Sequence, residues 1–184
     1  MKFVVLNGSV RKGRKSVNVS RFIYERLSAI EGCEVELLDI LDYNFPVMEE
    51  RMKFLEQVPD NMKKFSEAMD EADGLIIVTP EYNGSYSGAL KNTLDYFKTE
   101  YEQKSMGLVT VSAGKMGGAN AMHHLQAWAI HVKGIVSPFK LYVGNVGDKF
   151  TVDGDLLDLS LNKSVDNFLD KFLWLSKAIS GLKE

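Results

Sequence analysis

The sequence predicts one parallel α/β domain, a doubly wound five-stranded sheet with helices on both faces in three layers. Short apolar runs typical of buried parallel strands alternate along the chain with segments of helical apolar spacing. Parallel neighbours need crossover helices, and such helices cover both faces of the sheet. No repeat, low-complexity tract or linker divides the chain, so we predict a single domain over residues 1–184.

Each predicted element ends where its pattern is interrupted. The first apolar run stops at Asn7-Gly8, the first amphipathic segment at Gly32, and the third apolar run just before Pro80. The irregular stretch 42–59 leaves room for a short helix. The predicted elements, in chain order, are strand 3–6, helix 17–30, strand 35–40, helix 61–72, strand 75–78, helix 89–97, strand 106–111, helix 119–132, a last strand region at 135–136 and 139–143, and helix 156–179.

Composition and charge limit the function. The 184 residues carry a formal charge of -3, and no sustained basic stripe indicates nucleic-acid binding. No run approaches the roughly 18 apolar residues of a membrane span, and the short apolar start is unlike a signal peptide, so we expect a cytoplasmic protein without membrane partners. Cys33 is the single cysteine, which excludes an internal disulfide and a cysteine-rich zinc site. Small molecules are the expected partners.

Three polar or glycine-bearing loops follow predicted strands, at residues 9–18, 80–85 and 112–118. In an open parallel sheet, ligands bind beyond the carboxyl ends of the strands, at the point where strand order reverses. We therefore expect these loops to converge on one ligand.

The first loop places hydroxyl, amide and basic side chains ahead of a helix N-terminus. It contains neither G-x-G-x-x-G nor G-x-x-x-x-G-K-[ST], which disfavours a kinase or a classical dehydrogenase. Free helix amides attract an anion and Arg11 would add charge-assisted hydrogen bonds, which suits one phosphate monoester. The alternative is that Ser16 or Asn18 merely caps the helix. The candidate phosphate contacts are Ser9, Arg11, Ser16, Val17 and Asn18.

The second and third loops suit a planar ring. Pro80 fixes its own φ and Asn83-Gly84 permits a tight turn, so the backbone is shaped in advance. Exposed amides there match the alternating donors and acceptors of a flavin's pyrimidine edge, and the third loop could close on the other side of the ring. Both loops could instead be ordinary turns. The candidate ring contacts are Pro80, Glu81, Tyr82, Asn83, Gly84, Ser112, Gly114 and Gly117.

The three histidines do not predict a metal site. His123 and His124 are adjacent, so they point to different helix faces, and His131 lies two turns further on without an acidic partner at ligand spacing. We predict no metal.

Two motifs resemble the NADPH-dependent FMN reductases, a family of flavodoxin-like proteins. They are Gly8-Ser9-Val10-Arg11 with Ser16 and Asn18, and Pro80-Glu81-Tyr82-Asn83-Gly84-Ser85 followed by Leu90-Lys91-Asn92 and Asp95. The similarity covers nearly the whole chain in length and order of elements. Ser87 is a departure, because many relatives have proline before the glycine, and Tyr86 replaces a common aliphatic neighbour.

The resemblance implies FMN with its phosphate on the first loop and its ring against the other two. It implies NADPH or NADH as hydride donor. Separately from the resemblance, the basic residues Arg14 and Lys15 are near enough to the predicted site to meet a 2′-phosphate. The acceptor would be a free flavin, a quinone, an azo compound or an oxidised metal ion, reached by ping-pong kinetics without a catalytic acid or base. The resemblance also implies a homodimer or a dimer of dimers.

Two other functions remain open at this point. A flavodoxin-type carrier would shuttle single electrons between protein partners, but such carriers are usually strongly acidic, whereas residues 11–15 here are basic. A binding module would use the fold without redox turnover, since fold alone does not fix function.

Overall fold

The computed structural model describes residues 1–181, and residues 182–184 of the predicted domain lie outside the described residues. The single domain therefore stays a prediction. The strands among residues 1–181 are β1 (Lys2–Asn7), β2 (Glu34–Asp39), β3 (Gly74–Tyr82), β4 (Ser85–Tyr86), β5 (Ser105–Val111), β6 (Ile135–Val136) and β7 (Leu141–Val143). The helices in that range are α1 (Ser16–Ser28), α2 (Ile40–Tyr43), α3 (Asp60–Glu71), α4 (Gly88–Asp95), α5 (Ala119–His131) and α6 (Ser160–Ser180).

The parallel sheet has the order β2-β1-β3-β5, and its last position is shared by β6 and β7, which pair with β5 one after the other. Ser137 donates its backbone N–H to the carbonyl of Met106 at 2.8 Å, and Pro138 has no N–H to continue the ladder. The five predicted strand positions are confirmed, with the last one interrupted. Strand order reverses between β1 and β3, which is where a doubly wound sheet binds its ligand.

Alternating strand residues build two cores, one on each face of the sheet. On one face, Val4 and Ile77 pack with Phe65 of α3 and Leu125 of α5. On the other face, the cluster consists of the alternate strand residues and the apolar sides of α1 and α6, including Val5, Ile76, Ile23, Phe168 and Phe172. Side chains of successive strand residues point to opposite faces of the sheet. A strand that is covered by helices on both faces is therefore apolar throughout. The predicted three-layer arrangement follows.

The segment predicted as the Pro80 loop is instead mostly strand. β3 pairs with β5 as far as Pro80 and then with β4 through Tyr82. Asn83 and Gly84 have φ of 49° and 80°, the positive values of the two-residue turn that matches the twist of a hairpin. The loop prediction was wrong for residues 80–82 and for Ser85, because sequence alone did not show the extra strand β4 that extends the pairing.

Two helix boundaries also differ. α1 ends at Ser28 rather than at residue 30, and Gly32 lies in the turn that follows. α6 begins at Ser160 rather than at 156, because Leu156 pairs with Phe150 in an isolated bridge. No helix in the described part of the chain is both long and apolar enough to cross a membrane. The expected cytoplasmic location stays a prediction.

Candidate functional site

A cleft of about 300 Å³ opens at the carboxyl ends of β1, β3 and β5. Segments from all three predicted loops line it, together with Val146 from the turn after β7. The predicted site residues that the structure brings together here are Ser9, Arg11, Ser16, Pro80, Glu81, Tyr82 and Ser112.

Other predicted site residues do not line the cleft. The Asn18 side chain lies against the loop at Gly154, where a Cβ would approach Asn18 Oδ1 to 3.5 Å. Asn83 and Gly84 form the hairpin turn. The predicted residues outside the cleft lining are Val17, Asn18, Asn83, Gly84, Gly114 and Gly117.

The N-terminus of α1 faces the cleft without a side-chain cap. Lys15 is the N-cap residue and makes no capping bond, while Ser16 donates its Oγ hydrogen to Asn7 Oδ1 at 3.3 Å. The alternative that Ser16 or Asn18 caps this helix is therefore wrong. The first amides of a helix have no partner within the helix, so this end offers N–H donors and a positive dipole to an anion.

The basic residues of the first loop divide into two groups. Arg14 turns inward and binds Asp39 at the end of β2 through two hydrogen bonds of 2.6 Å, with both side chains about one-eighth exposed. It also donates to the carbonyl of Ser9. Arg14 is thus engaged within the protein, whereas Arg11 and Lys12 are exposed at the cleft. Lys15 donates to the carbonyl of Gly147 at 3.4 Å.

A hydroxyl pair joins the first loop to the hairpin. Ser9 is fully buried, and its Oγ lies 3.0 Å from the hydroxyl oxygen of Tyr82. This contact positions the Tyr82 ring at the cleft wall.

Glu81 points its carboxylate at the start of α5. Its Oε2 accepts from the backbone N–H groups of Asn120 at 3.0 Å and Ala121 at 3.1 Å, and its Oε1 accepts from Asn120 Nδ2 at 3.4 Å. Gly118, the N-cap residue of α5, provides no side-chain cap. Glu81 therefore replaces the missing cap from the hairpin, and its negative charge complements the helix dipole.

Ser87 links the hairpin to the first loop. It is 1% exposed, donates its hydroxyl to the carbonyl of Gly8 at 2.5 Å and accepts from the N–H of Leu90 at 3.1 Å, which caps α4. Its own N–H reaches Thr79 Oγ1 at 3.3 Å. A proline here would remove the N–H and the hydroxyl, so this departure from the family adds one hydrogen bond between the two loops, from Ser87 to Gly8.

The third loop is shaped by packing. The Ser112 hydroxyl donates to the carbonyl of Gly114 at 2.8 Å. Gly117 has φ of 61°, and a Cβ there would approach the Cβ of Tyr142 in β7 to 2.8 Å. Glycine is needed at this position for close contact with the neighbouring strand.

The cleft fits FMN in its donor set. Uncapped α1 amides and the exposed Arg11 and Lys12 suit a phosphate. Among residues 1–181 the one carboxylate that lines the cleft, Glu81, is satisfied by α5. Pro80, Tyr82 and Ser112 supply a wall for a planar ring. No group of histidine, cysteine or acidic residues among the described residues could hold a metal ion.

Comparison with known proteins decides the family. The family model described as NADPH-dependent FMN reductase matches residues 1–148. The chain belongs to the NADPH-dependent FMN reductase family.

Individual relatives and a solved structure agree with this family assignment. The chain is 37% identical over 130 residues to an NADPH azoreductase from a Bacillus species, covering 69% of this chain and 67% of the relative. It is 32% identical over 154 residues to a quinone reductase from Escherichia coli, covering 79% and 78%. The solved structure of FerB, a flavoenzyme NAD(P)H:(acceptor) oxidoreductase from Paracoccus denitrificans, superposes with a TM-score of 0.80 at 25% identity, covering 96% and 97%.

These matches confirm the predicted family, the flavodoxin-like fold and the oxidoreductase class. FMN with an NAD(P)H donor is confirmed as the cofactor chemistry of the family.

Three residues support the site as parts of its scaffold, and the sequence analysis did not predict that role. Asp39 and Ser87 hold the first loop, and Arg14 was interpreted only as a contact for a 2′-phosphate. The sequence signal that could have identified Asp39 is its place as a polar residue at the end of a strand.

Proposed function

We propose that this protein passes hydride equivalents from NADPH or NADH, through FMN held in the cleft, to a small acceptor. The observation that carries the proposal is the uncapped α1 N-terminus beside unengaged cations at the β1–β3 switch point. Family membership supplies the chemistry that such an anion-binding cleft serves.

The FMN phosphate is assigned to the first loop. The Ser16 and Val17 amides and the Ser9 segment offer hydrogen bonds, and Arg11 adds a cation. The ring is assigned to the wall made by Pro80, Tyr82 and Ser112. The predicted residues outside the lining are assigned to backbone shape, namely Asn18, Asn83, Gly84, Gly114 and Gly117.

Bound FMN would accept hydride from the nicotinamide and reduce the acceptor. The chain's part is to bind and orient. Backbone N–H groups at the cleft are placed to stabilise negative charge, and the Ser9 contact holds the Tyr82 hydroxyl in a fixed position. No side chain is needed as a catalytic acid or base in this scheme.

The acceptor class follows from the relatives, which are an azoreductase and a quinone reductase. We extend the class to free flavin and oxidised metal ions, as the sequence resemblance implies. A single cleft would serve donor and acceptor in turn, which gives ping-pong kinetics. We also propose a homodimer or a dimer of dimers, with the flavin near the interface.

The test is an anaerobic absorbance spectrum of the protein reconstituted with FMN, recorded before and after stoichiometric NADPH and, separately, NADH. Rapid bleaching of the flavin band is the expected result, and the faster nucleotide is the preferred donor. Bound FMN that neither nucleotide bleaches, with a stable one-electron-reduced flavin in redox titration, would instead indicate a flavodoxin-type carrier. Failure to bind FMN would overturn the site assignment.

A further inference from the structure

A second cavity lies beside the same hairpin, between α4 and α5. Its volume is about 480 Å³, against about 300 Å³ for the cleft. Ser85 and Tyr86 of β4 line the cavity, and they pair with Tyr82 and Glu81 of β3, which line the cleft. Paired strands lie about 5 Å apart. The cleft and the cavity are therefore lined by the two paired strands of one hairpin.

The charged groups of the cavity are mostly cationic. Among the described residues its lining includes one carboxylate, Asp95, which is paired with Lys91, so Arg51 and Lys98 are the lining cations outside that pair. Glu50 and Glu100 lie close by, since their carboxylates accept the backbone N–H groups of Arg51 and Lys98. Neither the Arg51 nor the Lys98 side chain forms an ion pair within residues 1–181. The chain as a whole carries a charge of -3, whereas the cavity lining is a region in which cations outnumber carboxylates. Such a region attracts anions.

His124 and His131 extend the same lining. They are seven residues apart on α5 and both lie in the cavity wall, whereas His123 does not. Their N–H groups add hydrogen-bond donors to the α5 wall of the cavity.

Three aromatic side chains also belong to the cavity lining. Trp128, Phe97 and Tyr86 line the cavity, and Trp128 is held edge-on by Tyr101 at a centroid distance of 4.9 Å. Burial, with a smaller effect of Asp95, raises the pKa of Tyr86 to about 12, so its phenol keeps its proton and can donate. Aromatic faces stack planar rings and cations hold the charge beside them.

We propose that this cavity binds planar aromatic anions, with the ring against Trp128 and Tyr86 and the anionic group on Arg51 and Lys98. Within the proposed reaction, two molecules have this chemistry: the adenosine 2′-phosphate end of NADPH, and an acceptor that carries a sulfonate or carboxylate. The connection to the reaction rests on the proposed function, whereas binding in the cavity does not.

The test is a fluorescence titration of Trp174→Phe protein loaded with FMN, in which Trp128 is the remaining tryptophan because the chain has two. The probes are 2′-phospho-ADP-ribose and naphthalene-2-sulfonate. The first is compared with its less charged analogue ADP-ribose, and the second with its uncharged analogue naphthalene-2-methanol. We expect saturable binding of the anionic probes and at least tenfold weaker binding of the analogues. The tighter of the two anionic probes identifies the donor end or the acceptor as the natural occupant.

Variants assign the binding to the cavity. Arg51→Ala combined with Lys98→Ala should weaken the tighter probe about tenfold or more, since the anionic group loses both of its charge-assisted contacts. The matched control, Lys53→Ala combined with Lys163→Ala, removes two exposed lysines away from the cavity lining and should change affinity less than twofold. Absence of saturable binding, or equal affinities of the two double variants, would overturn the proposal.

Two further measurements distinguish ligand binding in the cavity from dimerisation through it, and the cavity proposal from the proposed function. If sedimentation velocity shows a dimer that the Arg51/Lys98 variant dissociates, and no probe binds, a second copy covers the cavity and the proposal is wrong. NADPH bleaching of FMN is measured in the same samples. Bleaching without probe binding overturns the cavity proposal alone, and probe binding without bleaching overturns the proposed function alone.

Discussion

The first loop and the hairpin both meet the cleft, but their side chains do different work. In the first loop, Arg11 and Lys12 are exposed to the cleft, and an inward residue, Arg14, holds the loop in place. In the hairpin, the two polar side chains that line the cleft are engaged within the protein, Glu81 with α5 and Tyr82 with Ser9. The difference teaches that one loop offers charge to a ligand, while the other offers a backbone and an aromatic ring fixed by its own contacts.

The largest expected effect comes from breaking the anchor of the first loop. Arg14→Ala leaves the largely buried Asp39 carboxylate with only the Asn7 amide and the Leu41 N–H. Removing one partner of a buried ion pair costs about 3 kcal/mol or more, so the free energy of unfolding in urea should fall by about that amount. FMN affinity should fall as well, because the loop loses its anchor.

An exposed ion pair gives the control for this prediction. Lys2→Ala breaks a contact with Glu71 in which both side chains are at least half exposed, and stability should change little. Equal losses in the two variants would show that the Arg14–Asp39 pair has no special role.

The second effect tests the ligand-facing side of the first loop. Arg11→Ala should weaken FMN binding roughly tenfold or more, since it removes a charge-assisted contact to phosphate, and it should leave unfolding unchanged. Titration of FMN fluorescence measures the affinity. Riboflavin, which has no phosphate, should bind the variant and the unaltered protein equally. The matched control is Arg21→Ala, an exposed arginine on α1 outside the cleft lining. A variant that binds FMN normally would remove the phosphate assignment.

The third effect tests the hairpin as scaffold. Glu81→Ala should lower the free energy of unfolding by about 1–2 kcal/mol, because α5 loses its cap. Glu81→Gln keeps an acceptor oxygen but not the charge, so its loss should be smaller. Urea unfolding measures both, with Glu56→Ala, an exposed loop residue, as the control. If the alanine variant is as stable as its control, Glu81 has a role other than capping.

The smallest expected effect tests the connection between the first loop and the hairpin. Ser87→Ala leaves the Gly8 carbonyl and the Leu90 N–H without their partner and should cost about 1 kcal/mol. Ser87→Pro suits the observed φ of -64° but also removes the N–H, so it should be at least as costly. Amide hydrogen exchange at residues 8–15 should speed up in both variants. Unchanged exchange would mean that the two loops hold their shapes independently.

Local pattern was enough for most of the fold. Strand and helix positions follow from apolar spacing, because a side chain's face depends only on its own backbone geometry. The prediction of a loop at residues 80–85 failed because the backbone there pairs with other strands, which no local pattern shows. Residues 80–82 become strand through pairing with β5 and β4, and that pairing depends on partners elsewhere in the chain.

Sequence by itself determined the parallel α/β class, the convergence of three loops at one edge of the sheet, and the family through its two motifs. Tertiary structure alone decided which polar residues face the cleft. Arg14 meets Asp39 across 25 residues, Glu81 reaches α5 across about 40, and Ser87 reaches Gly8 across 79. A basic residue's type and spacing are the same whether it points to solvent or to a distant carboxylate. Only the packing of distant segments places the partner, and with it the residue's role.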